Sequence, residues 1–69
     1  MDAIGRFVRK RRKANGMTQQ ELAELAGVGV RFVGELERAK PTLRVDRVDA
    51  VLRVFGKRLG VTDGGDEGA

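Results

Sequence analysis

The chain has 69 residues, room for one small domain in which surface outweighs core. It contains no cysteine and no histidine, which excludes disulfides and a thiolate zinc site and removes the usual proton shuttle and the commonest metal ligand. The 14 Lys and Arg residues face 10 Asp and Glu, but Asp63, Asp66 and Glu67 sit in a base-free tail, so residues 1–62 hold 14 bases against 7 acids, a net +7 suited to a polyanion such as nucleic acid.

In the first segment, Ile4, Phe7 and Val8 fall on one helical face, which Arg11 or Arg12 and Ala14 continue. Asp2 reads as the N-cap and Gly16 as the C-terminal stop, giving a helix over about 2–15. The basic run Arg9 to Lys13 then lies on this helix as a solvated or phosphate-facing flank. Thr18-Gln19-Gln20-Glu21 has the spacing of a capping box, which opens a second helix over about 18–26 with Leu22, Ala23 and Ala26 inward. Gly27 permits the positive φ that ends it. A third helix, about 29–38, turns Val33 and Leu36 inward and keeps Val30 and Phe32 near the edges; Pro41 prevents its continuation. The fourth helix, about 45–55, carries Val45, Val48, Val51, Leu52 and Phe55 at helical spacing.

After Gly56 the pattern changes to period two, with Leu59 and Val61 on one side of a short strand. A lone strand leaves its backbone groups unpaired, so the same segment of a second copy is its natural partner. A small domain without covalent staples also gains stability by oligomerising. The tail DGGDEGA is Gly-rich and acidic and reads as disordered. No run is long or apolar enough to span a membrane and the N-terminus lacks a signal-peptide core, so a cytoplasmic location is expected.

A capped helix, a Gly-containing turn and a second helix of about ten residues form a helix-turn-helix unit. Ala23 is small enough for the two helices to approach closely, and Val28 plugs the underside of the turn. The second helix of such a unit enters the major groove by its N-terminal half. The stretch GMTQQELAELAGVGVRFVGELERAKPT resembles the lambda-repressor-like, Xre/Cro helix-turn-helix family in Thr18-Gln19, Leu22-Ala23, Gly27-Val28 and the ELE ending at Glu37. More narrowly, FVGELERAKPTLRVDRVDAVLRVFGKRL is similar to HipB-type antitoxins, with an aromatic early in the third helix, ERxKPT, an apolar helix, a glycine and a terminal strand. The resemblance covers residues 4–61. Gly29 stands where the family places a polar N-cap and Ala39 where it places glycine, which weakens one cap and makes one left-handed turn costlier.

The resemblance implies an all-α fold of four to five helices in residues 1–56, a dimerisation strand formed by Lys57, Arg58, Leu59, Gly60, Val61 and Thr62, and a homodimer on a palindromic operator in double-stranded DNA. For the HipB type it implies repression together with neutralisation of a HipA-type kinase toxin; the alternatives are a stand-alone Cro-like repressor and a module acting by protein contact. Gly29, Val30, Arg31 and Gly34 match the family's base-facing positions. Arg31 alone has a donor fork for guanine O6 and N7, the other reading being a phosphate clamp. Val30 suits a thymine methyl, and Gly34, costly inside a helix, suggests close approach of backbone to DNA. Thr18 and Gln19 match the phosphate contact at the second helix's start, with an ordinary exposed polar residue as the alternative for Gln19; Arg38, Lys40 and Arg44 should flank the phosphates or be merely solvated. Arg12 and Glu37 match a structural salt bridge. Phe32, near the edge of the buried stripe, is expected to be partly buried, the other reading being a base contact; Leu25 is expected to be partly exposed peripheral core, the other reading being a toxin or dimer contact. No catalytic residue, cofactor or metal is expected: the acids sit singly at caps and helix flanks, and no Gly-rich phosphate loop occurs.

Overall fold

The computed structural model describes residues 2–40 and 43–57. These form four helices: α1 (Asp2–Ala14), α2 (Gln19–Ala26), α3 (Val30–Glu37) and α4 (Val45–Val54). No strand occurs among the described residues. Helix α3 packs on α1 and α2, while α2 also packs on α4, so α2 and α3 together form the middle of the domain. The core they enclose is Val8, Leu22, Ala23, Phe32, Val33, Leu36, Val48, Val51, Leu52 and Phe55. Burying each full-sized aliphatic side chain of this set contributes about 1.5–3 kcal/mol. Phe7 closes one side of the cluster, its ring edge-on to Phe55 with centroids 6.2 Å apart.

Helix starts follow local chemistry. Thr18 caps α2 as a complete capping box: its hydroxyl oxygen accepts from the Glu21 N–H at 3.0 Å, and the Glu21 carboxylate accepts from the Thr18 N–H at 2.8 Å. Gly29 caps α3 in extended geometry with no side-chain hydrogen bond, the weak cap anticipated from its missing hydroxyl. Asp2 is already inside α1 rather than its N-cap.

All four helices end the same way. The first non-helical N–H groups reach back to carbonyls five and three residues earlier, as in Met17 to Arg12 and Gly16 to Lys13, and the same pattern closes α2, α3 and α4. Glycine occupies the left-handed position of three of these motifs, at 16, 27 and 56; Ala39, with φ +62°, occupies the fourth. Left-handed geometry costs a residue with a Cβ about 1–2 kcal/mol, while glycine gives back part of that difference as unfolded-state entropy. Ala39→Gly is therefore expected to stabilise the domain by about 0.5–1 kcal/mol, read as a higher urea midpoint at unchanged m-value.

Several burial expectations change. Val45, at helical spacing from the apolar stripe, is 61 % exposed; it is the first residue of α4, and the buried stripe starts one turn later at Val48. Ala14 is exposed, and Arg12 rather than Arg11 extends the inner face of α1. Leu25, expected at the edge of the core, is exposed, and Phe32 is buried rather than peripheral. Gly5 was not anticipated at all. It is buried where α1 crosses the end of α3, and a methyl group there would overlap the Leu36 carbonyl oxygen. Lys57 belongs to the turn closing α4, its N–H donating to the Leu52 carbonyl. The rest of the expected dimerisation strand, Arg58 to Thr62, and the acidic tail lie outside the described residues, as does Pro41-Thr42.

Candidate nucleic-acid interface

Phe32, Val33 and Leu36 anchor α3 to the core, which leaves its other side to Val30, Arg31 and Glu35. Val30 is exposed, and the Arg31 side chain is 90 % accessible, one residue past the helix's first turn-defining position. The α2–turn–α3 unit thus presents the N-terminal part of its second helix outward, as groove insertion requires.

Gly34 is buried, and not by backbone from elsewhere. The space where its Cβ would stand is flanked by the Arg38 guanidinium at 3.5 Å and the Gln19 side-chain oxygen at 3.7 Å, both ordinary contact distances. The glycine therefore seats two polar side chains from the end of α3 and the start of α2, where the sequence suggested a bare strip of backbone.

Glu37 joins three elements. Its carboxylate accepts two hydrogen bonds from Arg12 on α1, at 2.7 and 3.0 Å, and a third from the Gln19 amide on α2 at 3.1 Å. Arg12 also donates to the Met17 carbonyl at 2.8 Å, tying the α1–α2 turn into the same network. The pair is well shielded, with side chains 11 % and 4 % exposed. Burial pushes the Glu37 carboxyl up, but the hydrogen bonds from Arg12 and Gln19 and the Arg12 charge outweigh it and hold the group below its ordinary range. The hydrogen bond to Glu37 raises Arg12 in turn. Gln19 consequently spends one of its two amide N–H donors on Glu37; beside the other it offers the backbone at the start of α2, where the first N–H groups of a helix have no intrahelical partner.

The outward cations differ in what they already hold. Arg31 and Lys40 converge on one oxygen of Glu35, at 3.5 and 3.2 Å. The hydrogen bond from Lys40 is the main reason that the Glu35 carboxyl lies below its ordinary range. Arg44, at the N-cap of α4, makes a two-point pair with Asp46, at 3.2 and 3.0 Å. Arg38 has no ion pair among the described residues and lies over Gly34. On α1, Arg9, Lys10 and Lys13 are exposed, and Arg11 stacks over the Phe7 ring at 5.6 Å. Thr18's hydroxyl oxygen is committed to its cap, although its O–H proton remains a donor. The structure thus brings Gln19, Gly34 and Arg38 together, and Arg31 and Lys40 together through Glu35. Sequence reasoning did not anticipate the pairing of Glu35 with Arg31, although its spacing of four is the ordinary signal for a helical ion pair.

No described helix is long and apolar enough to cross a membrane. The helix-turn-helix family model matches residues 8–61, which include all of this interface. The chain is also 41 % identical over 63 residues to an uncharacterized HTH-type transcriptional regulator, y4mF, of Sinorhizobium fredii, a match covering 91 % of this chain and 83 % of the relative.

Proposed function

The chain belongs to the helix-turn-helix family, and from that premise we propose that it is a sequence-specific DNA-binding transcriptional repressor. The carrying observation is the outward N-terminal half of α3, with Arg31 almost fully accessible on a helix fixed from behind by Leu36 and Glu37. In this reading Arg31 reads a guanine edge, Val30 meets a thymine methyl, Gly29 keeps the helix surface low, Gly34 seats the Arg38 and Gln19 side chains, and the start of α2 with Arg38, Lys40 and Arg44 holds the phosphate backbone. Two copies bind a palindrome with recognition helices about 34 Å apart, joined through residues 57–62. The protein acts by binding, without a catalytic centre, in the cytoplasm.

The narrower reading, an antitoxin of the HipBA type that neutralises a kinase toxin, is supported by the resemblance of residues 32–59 alone. A neighbouring kinase-toxin gene and a stable complex of the two purified proteins would support it; a gene standing alone would favour a Cro-like repressor.

Fluorescence anisotropy of the purified protein against its own upstream promoter DNA, with scrambled DNA as control, tests the repressor reading. Preference for the promoter, with affinity falling steeply between 50 and roughly 200 mM salt, is the expected result. Equal binding to both duplexes at every salt concentration would overturn sequence specificity.

A further inference from the structure

We infer that Glu35 is a specificity-determining residue: it holds Arg31 and Lys40 on one carboxylate oxygen, so that the interface discriminates between duplexes instead of gripping any phosphate backbone. This rests on the DNA-binding reading above and on Arg31 as the base reader.

The observation is the convergence itself. Glu35 lies on α3 one turn after Arg31, and the chain reversal at Ala39 brings Lys40 back to the same oxygen. Lys40 and Arg31 would otherwise be two adjacent positive charges on the side of the helix that faces a polyanion. With Glu35 between them, the trio carries a net single charge, and its carboxylate repels any phosphate that approaches closely. Attraction to arbitrary duplex DNA, which depends on the number of phosphates neutralised, is therefore lowered at this point of the surface.

Recognition of a matching duplex is affected differently. Glu35 engages Arg31 at Nε. The guanidinium has five N–H donors in a fixed fork, so its two terminal nitrogens remain available to the O6 and N7 of a guanine. A carboxylate on one edge also restricts the rotamers of a side chain that is otherwise 90 % exposed, so less freedom is lost when the base contact forms. The same residue weakens unspecific binding and prepares specific binding. It acts through Arg31 and Lys40 and touches no base itself, which makes it a positioning residue.

The test is a binding cycle with the full chain, using the duplex that the wild type prefers and a scrambled duplex of equal length, over a salt series. Glu35→Gln keeps the size of the side chain and removes its charge. It is expected to tighten scrambled-DNA binding about threefold, to reduce the preferred-to-scrambled ratio about fivefold, and to steepen the salt slope by about one as Lys40 meets its phosphate without a competing carboxylate. Urea unfolding should show nearly the wild-type midpoint, since both ion pairs are peripheral. In an Arg31→Ala background, Glu35→Gln should leave the ratio almost unchanged, because the positioning component has lost its target. An unaltered ratio for Glu35→Gln in the wild-type background would overturn the inference while leaving base reading by Arg31 intact. If Arg31→Ala itself leaves the ratio unaltered, base reading fails, and the inference with it.

Discussion

Arg12→Ala is expected to destabilise the domain by about 3–5 kcal/mol, the loss typical when one partner of a buried ion pair is removed. Small domains have only about 5–15 kcal/mol in total, and one of 69 residues belongs near the lower limit, so the variant should be substantially unfolded at 37 °C. The reason is what stays behind. The Glu37 carboxylate is 4 % exposed and receives two of its three hydrogen bonds from Arg12; without them a charge remains in poorly solvated surroundings with one amide for company. Met17's carbonyl loses its donor in the same step. Arg12→Lys should recover part of the loss, since an ammonium keeps the charge but lacks the planar fork for two parallel bonds. The pair Arg12→Met with Glu37→Leu should be less damaging than Arg12→Ala, because no charge is then left buried.

Acid should act on the same carboxylate. Glu37 is held below its ordinary value of 4.5 in the folded chain, so its contribution to stability is present above that value and is lost as pH falls through the depressed folded value. Stability should therefore decline on acidification below about pH 4.5, and Glu37→Gln should be less stable than wild type at neutral pH but lose less on going to pH 3. Urea titrations of both proteins at several pH values check this; parallel declines would mean that other carboxylates carry the acid sensitivity.

What could be read in advance was whatever is local to one stretch of chain. The TQQE capping box, the Gly16 and Gly27 stops, and the Leu22, Val33, Leu36 and Val48 stripes all express one helix's own geometry. The misreadings arise where two elements meet. Val45 has helical spacing from Val48, but periodicity does not say how far a neighbouring helix extends to cover it. Gly5 is needed because α1 crosses the Leu36 carbonyl at very short range, a relation between residues 31 positions apart in sequence. Gly34's spacing suggested bare backbone, yet Arg38 and Gln19 fold over it, and only side-chain conformations reveal that. Glu35 is intermediate: its pairing with Arg31 is local, whereas its sharing with Lys40 depends on the reversal after α3.

The largest effect expected on DNA binding is that of Arg31→Ala. A bidentate arginine–guanine contact discriminates by about 1–3 kcal/mol, so affinity for the preferred duplex should fall roughly 5- to 150-fold while scrambled-DNA binding changes much less. Arg31 contributes little to folding, being 90 % exposed with one long ion pair, so its loss should be felt in recognition and hardly in the unfolding midpoint. Arg38 should behave differently. It carries no ion pair among the described residues and lies over Gly34 at the far end of α3, so Arg38→Ala should weaken both duplexes by a similar factor and lower the salt slope by about one. The comparison matters more than either variant alone, because a uniform loss of charge would weaken every duplex equally. If Arg31→Ala instead reproduces the Arg38→Ala pattern, Arg31 is a phosphate clamp, and sequence reading must come from contacts to Val30 and from the shape of the groove.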